Sequence, residues 1–341
     1  MLLTHKIIIG LVVGYLFIFI FSCKKEEIKQ VELDNTGFNP TYLTPPHLPN
    51  LPPMHNPEFN KMTMEGVQLG KKLYYDNVLS TNSRSCSSCH KNNFSYSAPY
   101  MGPIGTAILP HLNLGWYNRY GWFGGDEYLD FVALVDLEEG NPFLQANSDS
   151  ISNRLNKSVE YQQLFFNAFG IEITKQADSL RNQYISFALA QFMRTMVSID
   201  SRFDRYLRGE ILLTPSEING YEIFMREDKG DCFHCHGSAS NPMWTDFEYH
   251  NNALNSNFTG VDLGMYNISG NINDIGKFKT PTLRNIELTS PYMHDNRFTT
   301  LEQVIDFYSE GLQNSPYVDP LMQKINQGGV QLTLAEKQDL I

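Results

Sequence analysis

Four of the five cysteines stand in two copies of one pattern, Cys86-Ser87-Ser88-Cys89-His90 and Cys232-Phe233-His234-Cys235-His236. A Cys-x-x-Cys-His run has a mechanical logic. The two thiols add to the two vinyl groups of a haem, and the histidine that follows is thereby set under the iron as proximal ligand. Two other uses of the thiols compete: a zinc site built from two Cys-x-x-Cys halves, and two local disulfides in an oxidising compartment. Neither calls for a histidine directly after both pairs. The motifs therefore predict two covalently bound haem c groups, one on Cys86, Cys89 and His90 and one on Cys232, Cys235 and His236, with one motif per domain. His234, inside the second motif, is expected to be a solvent-facing spacer.

The fifth cysteine, Cys23, follows an apolar run from Ile7 to Phe21 that is preceded by His5 and Lys6. The run has the length of a signal-peptide core and is short for a bilayer-spanning helix. Ile20-Phe21-Ser22-Cys23 resembles a bacterial lipobox, in which the cysteine after a small residue is diacylated and becomes the new N-terminus. Residues 1–22 thus read as a lipoprotein signal peptide and Cys23 as a lipid anchor; the alternative is an uncleaved anchor helix with an incidental cysteine. Both readings hold the chain at a membrane outside the cytoplasm, and the first makes it a lipid-anchored protein of the outer membrane and periplasm. Residues 23–57, rich in Pro, Asn and Thr, read as a tether.

Those motifs need elements to hold them. The chain has 341 residues, enough for two domains, and its 42% hydrophobic and 18% charged content with 22 Phe and 18 Tyr supports a large core. A net charge of −11 gives no footprint for a phosphate backbone, so nucleic acid is excluded as a partner. Met64, Val67, Leu73 and Tyr74 share one helical face ahead of the first motif, and Val159, Leu164, Phe165, Ala168 and Phe169 define another. A long helix is expected from Thr174 to Ser198, with Ala177, Leu180, Tyr184, Phe187, Ala188 and Met196 inward. Thr214-Pro215-Ser216-Glu217 is a capping box that opens a helix into the second motif; Thr299 with Glu302 and Thr333 with Glu336 cap two more. No sustained strand alternation appears, and long loops at Ala98–Gly125 and Asn241–Asn273 are expected to close over haem faces. The amphipathic pattern is still running at Ile341, so a further turn is expected beyond it.

Several segments resemble the bacterial di-haem cytochrome c peroxidase and MauG family. Leu69-Gly70-Lys71-Lys72-Leu73-Tyr74-Tyr75-Asp76, then Leu79-Ser80 and Cys86–His90, is similar to its N-terminal haem region. Phe203-Asp204-Arg205-Tyr206-Leu207 is similar to its inter-domain connection, and Phe278-Lys279-Thr280-Pro281-Thr282-Leu283-Arg284-Asn285 with Pro291-Tyr292-Met293-His294-Asp295 to its C-terminal signature. The resemblance implies a mainly α fold of two cytochrome c-like domains related by a pseudo-twofold, here 58–200 and 201–341, with calcium between the haems.

It also implies roles. Peroxidase members give the C-terminal haem a methionine from the helix after the Pro-Tyr-x-His segment; MauG-type members have a tyrosine there, and this chain has Tyr308. Thioether sulfur favours Fe(II), whereas a tyrosine oxygen favours higher oxidation states. The alternatives are a core aromatic at Tyr308, with Met293 or Met322 as ligand. His111 does not fall where the family's distal ligand would and is expected to be a loop or propionate-contact residue, with ligation as the alternative, leaving the first haem five-coordinate. Trp122 aligns with the family's inter-haem tryptophan, although Trp-Asp-Gly-Arg is Trp122-Phe123-Gly124-Gly125 here; a core tryptophan is the alternative. The distal glutamate corresponds to Gln145, which cannot carry a proton between peroxide oxygens, and Glu138 and Glu139 are either substitutes or solvated loop residues. The backbone oxygens of Thr289 and Pro291 match the calcium positions, with Asn113 nearby; Arg284 is expected to meet a haem propionate or form a surface ion pair.

The resemblance thus implies a di-haem oxidoreductase expected to reduce hydrogen peroxide with electrons from a small cytochrome c or cupredoxin, with a homodimer as the family's frequent assembly. Tyr308 also suits MauG-like oxidation of a partner protein, and the missing glutamate suits electron transfer without catalysis.

Overall fold

Thr63 starts the first helix by accepting the Gly66 N–H on its side chain, and α1 (Met64–Tyr75) then buries Leu69, Leu73 and Tyr74. Met64, on the first turn, is exposed instead of inward. The computed structural model describes residues 37–47, 51–125 and 127–341. The signal peptide, Cys23 and about half of the tether, residues 24–36 and 48–50, lie outside them.

Three further helices, α2 (Cys86–Cys89), α3 (Leu129–Asp136) and α4 (Ser148–Lys157), precede α5 (Val159–Phe169) and α6 (Asp178–Met193). The long helix expected over 174–198 is shorter, at 16 residues. Ala177 is extended and offers no capping side chain, and buried Ile173 begins a separate 3-10 turn, Ile173–Lys175. At the other end the chain leaves the helix at Arg194, so that Met196 is buried beyond it; Leu180 points outward. α1 and α6 cross closely because Gly70 has no Cβ: one placed there would run into the Ala188 carbonyl.

A buried polar network fastens this helix layer. Gln191 on α6 accepts the Thr63 N–H at 2.8 Å and donates to Asn60 at 2.7 Å. Asn60 donates in turn to Asp130 on α3, which forms a two-point ion pair with Arg194, both side chains 1% exposed. Around it Leu69, Leu73, Leu129, Ile151, Leu155, Phe165 and Ile185 form the largest apolar cluster.

The second half adds α7 (Arg202–Leu207), α8 (Pro215–Met225), α9 (Phe233–His236), α10 (Tyr266–Ser269), α11 (Leu301–Glu310) and α12 (Leu334–Leu340). Among the described residues the only sheet is a two-residue antiparallel pair, β1 (Tyr249–His250) and β2 (Phe278–Lys279). Capping boxes at Thr214 with Glu217 and Thr333 with Glu336 sit where the sequence places them. α11 is capped one residue later than expected, by Thr300 with Gln303, because the Gln303 side chain reaches back to the Thr299 and Thr300 N–H groups. A smaller cluster of Ala253, Leu254, Phe307 and Leu312 packs beneath α11. The two expected loops carry the 3-10 turn Leu114–Trp116 and, in the other, β1 and α10.

Candidate haem sites

The second motif opens onto a cavity of ≈350 Å³ lined by Cys232, Cys235, His236, Met293, Tyr308 and Met322 among others. α8 feeds it: the Cys232 N–H bonds the Phe224 carbonyl at 3.1 Å, and α9 then carries Cys235 and His236 on one turn. Burial lowers the His236 pKa to about 4, against the opposing pull of the Trp244 carbonyl, so the imidazole is neutral, as a metal ligand must be. Its Nδ1 lies 3.4 Å from that carbonyl. A carbonyl on Nδ1 leaves the Nε2 lone pair for a metal.

Tyr308 reaches the same cavity from α11. Its hydroxyl accepts a hydrogen bond from Asn252 Nδ2 at 3.0 Å, and that amide is also 3.7 Å from Met293 Sδ. Burial pushes the phenol up to about 12, Asn252 opposing it, so the hydroxyl keeps its proton unless a cation draws it off. Nothing local in the sequence marks Asn252 as a neighbour of Tyr308.

At the first motif, Ser85 and Ser88 make a capping box that winds Cys86–Cys89 into a single helical turn. His90 places Nδ1 3.0 Å from the Tyr96 carbonyl, and burial lowers its pKa to about 4. The His111 ring stacks on it with centroids 3.4 Å apart and planes 16° off parallel, and the Tyr74 hydroxyl holds His111 Nδ1 at 3.2 Å. Rings at van der Waals contact admit no third plane between them, so His111 sits beside His90 rather than across from it.

The segment ending at His111 also reaches the second cavity, where Ala107, Ile108, Leu109 and Pro110 form part of the wall. Trp122 joins that wall, its Nε1–H donating to the Ala107 carbonyl at 2.7 Å and its own carbonyl accepting the Lys279 N–H at 3.0 Å. The indole is thereby tied to a strand of chain that touches both haem motifs.

Other expected site residues are placed differently. Gln145 is exposed in a left-handed backbone conformation, and it is its carbonyl, not its side chain, that is engaged, by Thr81 at 2.6 Å. Glu138 and Glu139 are exposed as well. Arg284 is buried, not at the surface, and commits its guanidinium to Asp204 at 2.7 and 2.9 Å and to the Pro242 and Ser198 carbonyls. Asn113 exchanges hydrogen bonds with the Ser198 backbone, at 2.9 and 2.8 Å. Thr289 and Pro291 line the second cavity. His234 is part-exposed, packing on Phe233 and lying 2.7 Å from the Asp231 carboxylate.

No motif in the sequence marks His250, whose two ring nitrogens donate to Asp246 and Asp319 at 2.7 Å each. Burial alone would lower its pKa, but the two carboxylates outweigh it and raise it to about 9. A histidine raised in the folded state stabilises fully below its unfolded pKa, about 6.5, and loses that contribution as pH climbs through the folded value. Against His250→Gln, the wild-type protein is therefore expected to be more stable at pH 6 and to lose the difference between about pH 6.5 and 9; melting temperatures across that range check it. Cys235 Sγ, Asp246 and His250 lie within 4.8 Å of one another, but the imidazolium has no lone pair for a metal.

The four motif cysteines are unpaired, and no cluster of candidate metal ligands among the described residues combines them. Two thiol pairs, each followed by a buried neutral imidazole, suit two haem c groups and define a di-haem c protein. Residues 64–211 match the family model described as di-haem cytochrome c peroxidase. The chain is 30% identical to cytochrome-c peroxidase IdrP1 of Pseudomonas sp. (strain SCT), over 87% of this chain and 84% of that protein. It is also 30% identical to the methylamine utilization protein MauG of Methylorubrum extorquens, over 84% and 79% respectively. Among solved structures it superposes on a MauG-like protein associated with microbial copper homeostasis, with TM-score 0.75 and 30% identity over 86% of this chain and 92% of that one. The diheme peroxidase BthA of Burkholderia thailandensis shares the fold at TM-score 0.66 and 18% identity, covering 87% and 94%. The chain belongs to the di-haem cytochrome c peroxidase and MauG family, with its mainly helical fold of two cytochrome c-like domains.

Proposed function

We propose that this protein reduces hydrogen peroxide at the His90 site with electrons delivered by a small cytochrome c or cupredoxin, the His236 site passing them on. The observation that carries the reading is the shared wall: the segment 107–111 adjoins both haem motifs, and Trp122, at the second cavity, is hydrogen-bonded to it through the Ala107 carbonyl, giving electrons a short path. Haem at the two sites supplies iron that changes oxidation state one electron at a time. His90 and His236 would hold it through Nε2, their rings oriented by the Tyr96 and Trp244 carbonyls at Nδ1. Tyr308 is the proposed sixth ligand at the second site, with Asn252 orienting its oxygen.

The domain division 58–200 and 201–341 is part of this reading, supported by the separation of the two apolar clusters. So is a calcium ion between the haems on the Thr289 and Pro291 carbonyls, which accept no hydrogen bond among the described residues. Export and lipid anchoring through Cys23 rest on the lipobox-like sequence, and a homodimer on the family resemblance. A second reading, MauG-like oxidation of a partner protein, is favoured by Tyr308 and by the identity to MauG proteins.

Mixing the diferric protein with peroxide in a stopped-flow spectrometer tests the proposal. Rapid loss of a high-spin Soret band is expected; an unchanged spectrum leaves electron transfer without catalysis. Acceleration of turnover by a reduced small cytochrome, rather than by a protein substrate, separates peroxidase from MauG-like chemistry. Tyr308→Phe is expected to raise one haem's midpoint potential, by ~60 mV for each tenfold of Fe(III) preference lost, and spectroelectrochemical titration reads it. An unmoved potential removes Tyr308 from the iron.

A further inference from the structure

A line of aromatic rings runs from the first motif to the surface along the end of α1. Its inner end is the stack of His111 on His90, with centroids 3.4 Å apart. One atom fixes both rings, because the Tyr96 carbonyl accepts the His111 backbone N–H at 3.2 Å and lies 3.0 Å from His90 Nδ1. Tyr74 comes next, 6.0 Å from His111 between centroids, with its hydroxyl 3.2 Å from His111 Nδ1. Tyr75, the last residue of α1, follows 5.3 Å from Tyr74 and is 46% exposed.

Packing alone does not ask for this line. Tyr74 is 0% exposed and lies against Phe192 of α6. A phenylalanine would fill the same space with no hydroxyl to desolvate, and a buried hydroxyl costs free energy unless it is paired. Among the described residues His111 is its one hydrogen-bond partner. Burial also holds the phenol proton far above its ordinary range, so Tyr74 does not shed it to water. A phenol gives up an electron readily only when its proton has somewhere to go, and here an imidazole nitrogen stands ready to take it. Tyr75 has no such need, because solvent reaches it directly.

We propose that Tyr74 and Tyr75 carry oxidising equivalents from the first haem site to the surface, where Tyr75 is a second oxidation site that draws electrons from small phenols. The assignment rests on the peroxidase reading above. In net terms H2O2 and two phenols give two waters and two phenoxyl radicals, each phenol losing one hydrogen atom. Within that exchange peroxide takes two electrons through the first site. For each of them Tyr74 supplies an electron and passes its proton to His111 Nδ1. Tyr75 then gives an electron to Tyr74, which takes its proton back from His111, and Tyr75 releases its own proton to solvent. The Tyr75 radical finally takes a hydrogen atom from the phenol. The protons released to solvent are those that peroxide consumes.

The last step names the substrate class. A phenol's O–H bond breaks as the equivalent bond of Tyr75 forms, so the transfer is close to thermoneutral and needs no further acid or base. Tyr96 is the nearest competitor for the exit. Its ring is 6.4 Å from Tyr74 and packs against the apolar core, whereas Tyr75 is both closer and open to solvent.

The test mixes the diferric holoprotein, without an electron donor, with hydrogen peroxide or with peracetic acid, whose carboxylate leaving group needs no proton. Tyramine is added as the phenol, because it couples to an exposed tyrosyl radical and leaves a mass tag that peptide mass spectrometry locates. Freeze-quenched electron paramagnetic resonance is expected to show a tyrosyl signal in the wild-type protein, with the tag on Tyr75. Tyr75→Phe should lose the tag. Tyr74→Phe, with haem content and absorbance spectrum unchanged, should also lose it although the Soret band still responds to the oxidant. A tag on Tyr75 in Tyr74→Phe, a tag on Tyr96 instead of Tyr75 in the wild-type protein, or a Soret response without a tyrosyl signal overturns the path and leaves the peroxidase reading standing. A Soret response and a Tyr75 tag with peracetic acid but not with peroxide support the path and overturn the peroxidase reading. An unchanged spectrum with both oxidants overturns both.

Discussion

Asp130→Ala is expected to destabilise the protein by about 3–5 kcal/mol, the effect of leaving one partner of a buried ion pair uncompensated. Arg194 would keep only the His55 carbonyl at 2.8 Å as a partner for its charge, and Asn60 would lose its contact as well. Surface pairs such as Lys61 with Glu58 sit at the other extreme, where double-mutant cycles give about 0–1 kcal/mol. The magnitude matters because a domain's whole stability is about 5–15 kcal/mol. Urea unfolding followed by circular dichroism should show a lower midpoint with an unchanged slope. The double replacement Asp130→Leu with Arg194→Met is expected to recover most of the loss, since apolar side chains of similar size carry no charge to desolvate. A loss under about 1 kcal/mol for the single variant would show that water reaches the Arg194 guanidinium.

What the sequence made legible was local. Cys-x-x-Cys-His and the capping boxes at Thr214 and Thr333 declare themselves within five residues, because covalent attachment and orphan N–H groups are local problems. The functional neighbours that were missed are pairs far apart in the chain. Asn252 meets Tyr308 across 56 positions and Arg194 meets Asp130 across 64, and neither pairing follows any periodicity. Arg284 shows the same limit from the other side: its motif was visible, but its partner Asp204, 80 positions away, was not. The helix ends failed for a related reason. α6 stops at Met193, where Arg194 enters its ion pair with Asp130 and the β-branched Thr195, Val197 and Ile199 follow.

Replacing Cys232 and Cys235 together by alanine is expected to leave one covalent haem per chain and to unfold much of the second half. The first outcome follows from the thioether bonds themselves: the mass of the intact chain falls by one haem, and haem staining on a denaturing gel falls by half. The second follows from volume. A cavity of ≈350 Å³ kept open without its occupant would cost on the order of 8 kcal/mol at roughly 24 cal/mol per Å³. That is comparable to the stability of an entire domain, so the walls collapse or loosen instead. The cluster under α11 is too small to resist, being four buried residues, whereas the core around α1 and α6 does not border this cavity. Amide hydrogen exchange should therefore lose protection in α8, α11 and α12 while α1 and α6 keep theirs. Equal loss in both halves would mean that the two haem-binding domains fold as one cooperative unit. Protection retained throughout would mean that haem held without its thioethers is enough to support the fold, and the second motif would then be needed for retention of the cofactor and not for structure.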